Sequence, residues 1–379
     1  MSKNIVFCAD GTWNSSSTDD NPDDVKAWTN VYKLFLNLDG TLSADTLRVA
    51  DEQEKTLSKE GAVVQVAKYI HGVGDSRNPI VKLMGGAFGA GVISRIVRGY
   101  TFISRNYEAD DKIYITGFSR GAYTARALAG LIASQGLLAK PLTTDKETAY
   151  RRGAQVWYRY RKAVTHRDSS LARLAEVMAD FPAFISRETL KDSDLVSVGS
   201  LACVAVWDTV GAMGFPQFDQ EHQSVDAFKF ADMKLNLKVA LGLHAIALDE
   251  RRGIFSPTLW DDAQNVVQML FAGAHADVGG GYPHGAESGL SDGALQWVTE
   301  RLRAEGLHLS SQPEYRVAPN PLGTAHQPWR HAPFNVPGVS VAPRHFPVTL
   351  PEHPSVQQRR NGGRVVPEPG DTACSYPPI

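Results

Sequence analysis

Gly117-Phe118-Ser119-Arg120-Gly121 decides how this chain of 379 residues is read. The pentapeptide matches G-x-S-x-G. The strand-like run Lys112-Ile113-Tyr114-Ile115-Thr116 leads into it, and Ala122 to Ile132 leaves it as an amphipathic helix. Strand, Gly-flanked turn and helix are the setting that a nucleophile elbow requires. The turn is so tight that a side chain at either glycine would strike strand or helix. Such a turn lifts the Ser119 hydroxyl above the sheet edge and aims the first helical N–H groups at the same place. The fold class this implies is α/β: a three-layer, α/β-hydrolase-like sandwich around a mostly parallel sheet.

Outward from the elbow, further apolar runs read as buried strands. They are Ile5-Val6-Phe7-Cys8-Ala9, Val63 to Ile70, Leu201-Ala202-Cys203-Val204-Ala205-Val206-Trp207, and Asn265 to Gly273. Helical spacing marks Val25–Leu38, Val92–Tyr107 and Leu290–Glu305, the last with Ser291 or Asp292 as its cap. Val239–Leu248, which carries His244, also reads as helix. The run Gly85-Gly86-Ala87-Phe88-Gly89-Ala90-Gly91 lacks the spacing and the leading strand of a dinucleotide loop. Residues 141–195 differ in texture: Arg151, Arg152, Tyr158, Arg159, Tyr160, Arg161 and Lys162 make a basic, aromatic helix. It reads as a solvated face or as a cap inserted between the elbow and the next core strand. Fourteen of the 21 prolines lie between Pro313 and Pro378, which excludes continuous helix there. The expected organisation is a catalytic domain over 1–310, with 141–195 as a helical insertion. A Pro-rich extended arm follows over 311–379, its last dozen residues without order.

Composition excludes several functions. A formal charge of -2 gives no electrostatic reason for nucleic-acid binding. Cys8, Cys203 and Cys374 form neither a metal spacing nor a disulfide framework. No run approaches the roughly 20 apolar residues of a membrane span, and the N-terminal apolar stretch is too short for a signal peptide. Synthesis in the cytoplasm follows, compatible with secretion that needs no signal peptide. No metal motif is present, and Asp19, Asp20, Asp23 and Asp24 read as a solvated acidic loop. No cofactor is expected.

The order of the strand endings carries the chemistry. Asp10, His71, Ser119, Asp208 and His275 end apolar runs or adjoin their ends, and an open parallel sheet binds ligands outside its carboxyl edge. Serine, acid, histidine is the chain order of α/β hydrolases. Ser119 is the candidate nucleophile, which needs an adjacent base; its alternative role is to cap a helix. His275 is the first candidate base, ahead of His71, His244 and His284. Asp208 is the first candidate for the acid that orients it, with Asp277 as competitor. Asp10 and Asp277 are supporting candidates. For the oxyanion hole, one donor is the backbone N–H of Arg120; the second is Gly11 or Thr12, then Gly72.

These residues also resemble the DUF2235 family of α/β hydrolases, which includes Tle1-like type VI secretion phospholipase effectors. The resemblance rests on Phe7-Cys8-Ala9-Asp10-Gly11-Thr12-Trp13-Asn14, on Gly117 to Arg126, on Trp207-Asp208-Thr209-Val210-Gly211 and on Leu248-Asp249-Glu250-Arg251-Arg252. It continues through His275-Ala276-Asp277-Val278-Gly279-Gly280-Gly281-Tyr282, Leu290-Ser291-Asp292 and His353-Pro354-Ser355-Val356. It implies a bacterial serine esterase or lipase whose matching triad is Ser119, Asp208 and His275, acting on phospholipid acyl esters at a membrane surface. It also implies a secretion-apparatus or immunity partner. Two alternatives stand beside it: a soluble small-ester or thioester hydrolase without a membrane role, and an inert binding protein on a hydrolase fold.

Overall fold

The computed structural model describes residues 2–11, 27–45, 52–71, 87–164, 190–210, 233–332, 334–335 and 340–376. Thr12, Gly72, the acidic loop at Asp19, Asp20, Asp23 and Asp24, and residues 165–189 of the expected insertion lie outside them.

The chain runs β1 (Asn4–Ala9), α1 (Asn30–Asn37), β2 (Thr41–Leu42), β3 (Glu52–Lys59), β4 (Ala62–Ile70), α2 (Ala87–Asn106), β5 (Lys112–Phe118), α3 (Arg120–Gln135) and β6 (Leu137–Leu138). It continues with α4 (Lys146–Val164), β7 (Leu195–Val196), β8 (Leu201–Trp207), β9 (Val239–Ala247), β10 (Val266–Phe271), α5 (His275–Gly279) and α6 (Gly289–Ala304). The last part holds α7 (Pro354–Asn361), β11 (Arg364–Val365) and β12 (Cys374–Ser375). Among the described residues, eight strands form one sheet in the order β10-β9-β8-β5-β1-β4-β3-β2. The stretch from β10 to β4 is parallel, and β3 and β2 add an antiparallel edge.

Period-two alternation along the central strands builds two cores. Ile5, Phe7 and Ala9 face one layer with Ile96 and Tyr100 of α2, Leu128 of α3 and Trp157 of α4. Val6 and Cys8 face the other, with Leu34 and Phe35 of α1 and Leu295 and Val298 of α6. Helices on both faces make the mostly parallel α/β sandwich. The basic, aromatic stretch becomes α4, with Val156 and Trp157 buried in the core while Arg151 and Arg159 meet solvent.

Three readings of the sequence are corrected by the structure. Val239–Leu248, expected as helix, is strand β9, hydrogen-bonded between β8 and β10. A short apolar run buried on both faces has no polar side to reveal its period, and its Ala and Leu content favours helix. At α6 the helix starts at Gly289 with Ser288 as its N-cap, so neither Ser291 nor Asp292 caps it. Asp292 is buried instead, accepting from Lys33 Nζ, the Tyr315 hydroxyl and the Ala318 N–H, each at 2.9 Å. Where disorder is expected in the last dozen residues, β12 pairs with β11 and the buried Tyr376 hydroxyl donates to Asp249. Only 377–379 lie outside the described residues there.

Candidate active site

The chain crosses from β4 on one side of β1 to β5 on the other, so a topological switch falls beside β1. Asp10 follows β1 and Ser119 follows β5 at that carboxyl edge. The Ser119 N–H donates to Trp207 O at 3.2 Å, which ties the elbow to the end of β8, where Asp208 follows.

The elbow is strained. Ser119 has φ 57° and ψ -122°, a conformation that L-residues rarely adopt and that costs about 1–3 kcal/mol. Both flanking glycines are needed for close approach. A methyl on Gly117 would strike the backbone of Gly121 and Ala122; one on Gly121 would strike the carbonyls of Ala9 and Asp10. The nearly buried Ser119 hydroxyl does not cap α3. Among the described residues no hydrogen bond joins it to His275.

His275 opens α5 and Asp208 ends β8. The structure brings them together, His275 Nδ1 lying 2.6 Å from Asp208 Oδ2. The imidazole packs at a tilt against the rings of Phe118, at 4.6 Å, and Phe255, at 4.8 Å. Phe118 precedes the elbow serine, so the imidazole sits beside the turn, and Nε2 is the nitrogen left facing away from Asp208. Burial lowers the His275 pKa, with Asp208 and Glu250 pulling the other way. The net lowering favours the neutral imidazole.

Burial would raise Asp208. The charge of Arg344 and the hydrogen bonds from His275 and Arg344 overcome it and hold the carboxyl well below the usual carboxylate range. Arg344 grips both oxygens, Nη1 to Oδ1 at 2.8 Å and Nη2 to Oδ2 at 3.0 Å, and Oδ1 also accepts the Ala247 N–H at 2.9 Å. Asp208 is itself at φ 34°. Nothing in the sequence points to Arg344: it lies in the Pro-rich arm, outside any periodic segment.

The remaining candidates fall elsewhere. Asp277 accepts the Ala274 N–H at 2.9 Å and pairs with His326 Nδ1 at 2.7 Å, so it organises the turn into α5 and does not touch the His275 ring. His244 is a core residue of β9, its Nε2 accepting the Thr209 N–H at 3.0 Å. His284 pairs with the Tyr315 hydroxyl at 2.9 Å, and His71 lies 3.4 Å from the Tyr69 hydroxyl. Asp10 accepts from Thr29 Oγ1 at 2.8 Å, the Tyr69 hydroxyl at 2.7 Å and the Gly11 N–H at 2.6 Å. Burial pushes it up to about 6 against those donors. Gly11 lies against the elbow, since a Cβ on it would stand 3.4 Å from Ser119 Cβ, but its own N–H is turned to Asp10. Arg120 is the first residue of α3, where helical N–H groups have no partner within the helix.

Glu250, in the loop after β9, supports this assembly. Its Oε2 accepts the His275 N–H at 3.1 Å and Arg252 Nη2 at 2.7 Å. Among the described residues no group of three or more His, Cys, Asp and Glu side chains is arranged to hold a metal ion. No helix there is long and apolar enough to cross a membrane.

Comparison with known proteins places the chain in a family. The model of the type VI secretion system phospholipase effector Tle1-like catalytic domain matches residues 3–301. An uncharacterised Saccharomyces cerevisiae protein, YEL023C, is 31% identical over 140 residues, covering 37% of this chain and 19% of the yeast protein. An uncharacterised Pseudomonas aeruginosa protein of known structure is 16% identical, with a TM-score of 0.44 over 82% of this chain and 46% of its own. A Tle1 effector solved bound to the VgrG spike of the type VI secretion system is 18% identical. Its TM-score is 0.36 over 74% of this chain and 51% of its own. The chain thus spans about half the length of these relatives or less. With a match across 3–301, the chain belongs to the Tle1-like type VI secretion phospholipase effector catalytic-domain family.

Proposed function

We propose that this chain is a serine hydrolase that cleaves lipid acyl esters, phospholipids foremost, through an acyl-enzyme. The observation that carries the reading is the 2.6 Å contact of His275 Nδ1 with Asp208, set beside a strained elbow whose Ser119 side chain does not cap α3. The family's phospholipase label supports the substrate class.

In this mechanism Ser119 Oγ adds to the acyl carbonyl carbon while His275 Nε2 takes its proton. Asp208 holds the imidazole tautomer through Nδ1 and stabilises the imidazolium. The oxyanion is met by the Arg120 N–H; the Gly11 N–H is committed to Asp10, which leaves Thr12, outside the described residues, as the candidate second donor. Collapse of the tetrahedral intermediate expels the alkoxide, which takes the proton from His275. Water, deprotonated by His275, then attacks the acyl-enzyme and releases the fatty acid and free Ser119. No cofactor enters these steps. We take residues 1–310 as the catalytic domain and 311–379 as an arm over it. We further propose delivery by the type VI secretion apparatus after synthesis in the cytoplasm, with that apparatus or an immunity protein as partner.

The test is labelling with a fluorophosphonate probe and fatty-acid release from phospholipid vesicles, for the parent and Ser119→Ala. The parent is expected to label and to release fatty acid, and the variant to fold but lose about 10⁶ in turnover. Labelling without vesicle activity, but with turnover of a water-soluble ester, selects the soluble esterase. A folded parent that neither labels nor turns over selects the inert binding protein.

A further inference from the structure

We propose that Arg344 is a positioning residue for the triad, so that the C-terminal arm completes the active site of the catalytic domain. The proposal rests on the triad reading above.

The contact is a built one. Arg344 presents its planar fork to both oxygens of Asp208, the bidentate geometry that adds direction to charge. The same guanidinium donates to Ala247 O at 2.7 Å and to Phe255 O, which fixes its plane. Its side chain is 6% exposed and that of Asp208 is fully buried. Asp208 therefore receives four hydrogen bonds, from His275, Ala247 and Arg344 twice, about the full capacity of a carboxylate.

The arm is pinned where this contact needs it. Val341 bridges Arg252, the Gly253 N–H donates to Ser340 O at 2.9 Å, and the Ala342 N–H donates to Arg251 O at 2.8 Å. Arg344 follows two residues later. The loop that receives the arm also supplies Glu250 to the His275 backbone and Phe255 to the His275 ring. The arm residues Ser340 to Arg344 lie beyond the residues that the family model matches, 3–301, whereas the loop that receives them lies within.

The chemical consequence follows from charge. A fully buried carboxylate without a cation tends to take up a proton or turn toward water, and the imidazole then loses its tautomer. Arg344 prevents both. It also offsets part of the Asp208 charge felt by His275, and so keeps the base neutral to lower pH. Among the described residues, the other charged or titratable groups facing the pair are Glu250 and Arg252, in the loop after β9, and His244 on β9. Arg126 of α3 acts on His244. Glu250 and Arg252 are joined to each other by three hydrogen bonds, and His244 is kept neutral by burial. Arg344 is the cation in contact with the Asp208 carboxylate.

The experiment measures the pH profile of kcat/KM on a soluble ester for the parent, Arg344→Gln and Arg344→Lys, with fluorophosphonate labelling alongside. In Arg344→Gln the acid limb is expected to move to higher pH by about one unit, because removing the cation raises the proton affinity of the Asp208–His275 pair. Arg344→Lys keeps the charge but loses the fork; its limb is expected to stay in place while kcat falls by about tenfold, with KM unchanged. A folded, active Arg344→Gln with the parental limb overturns the proposal. If that variant does not fold, Arg344→Lys decides, since parental kcat and limb together would mean that the fork positions nothing. A parent that never labels or turns over fails at the triad itself, an outcome distinct from an active parent whose limb ignores Arg344.

Discussion

The elbow and the arm meet around the same histidine, and they are built in opposite ways. The elbow is local: five consecutive residues set a strained serine, and two glycines allow β1, β5 and α3 to close on it. The arm is distant: Arg344 reaches Asp208 across 136 positions of chain and contributes charge in a fully buried place. Strain can be written in a short motif because it depends on neighbouring backbone. Charge compensation needs only a cation at the right point in space, and any segment that passes there can supply it.

Asp208→Asn separates the two most sharply, because it sits in both. Turnover is expected to fall about 10⁴-fold, since the amide favours the wrong imidazole tautomer. Unlike Ser119→Ala, it also strands the buried Arg344 guanidinium, and stability is expected to drop by about 3–5 kcal/mol. Urea unfolding beside kcat checks this. Parental stability in Asp208→Asn would mean that the arm is not held by this carboxylate, whereas partial recovery in Asp208→Asn with Arg344→Gln would show the pair acting as one unit.

Gly121→Ala probes the elbow alone. Its methyl would press on the carbonyls of Ala9 and Asp10, which are backbone and fixed in the central sheet. The expected cost is about 1–3 kcal/mol, with loss of probe labelling as the turn opens. A variant that labels like the parent would show slack in the turn that the close approach of α3 to β1 does not suggest.

The same contrast explains what the sequence disclosed. The parallel strands β1, β4, β5, β8 and β10 were legible because each is an apolar run closed by turn residues, and α2, α3 and α6 because their period is helical. β9 was not, since a strand covered on both faces shows no period. Asp208 was the first candidate for contact with the His275 ring and Asp277 its competitor, and the fold sets Asp208 on His275 and Asp277 on His326. Arg344, between Pro343 and His345, carried no signal, because its role depends on a bridge between Val341 and Arg252 that no local pattern encodes.

Tyr376→Phe tests whether the arm's two anchors are separate. At the far end of the arm the Tyr376 hydroxyl donates to both oxygens of Asp249, at 3.0 and 2.9 Å, and the Gly273 N–H donates to Oδ2 at 2.5 Å. Burial pushes Asp249 up to about 6, with the Gly273 N–H and the Tyr376 hydroxyl acting against the rise. A carboxyl raised above its ordinary value of 3.8 contributes stability that is complete below that value and is lost as pH rises through about 6. Above pH 6 the carboxylate is ionised, buried and most dependent on its donors. Removing the hydroxyl is therefore expected to cost about 2 kcal/mol at pH 8 and clearly less at pH 5, where the carboxyl holds its own proton. Denaturant unfolding at the two pH values reads the difference. The acid limb of kcat/KM is expected to stay where the parent has it, because Tyr376 meets Asp249 and not the Asp208–His275 pair. If Tyr376→Phe moves that limb as Arg344→Gln does, the arm acts as a single lever on the site, and the division between an anchor for stability and a clamp for charge fails.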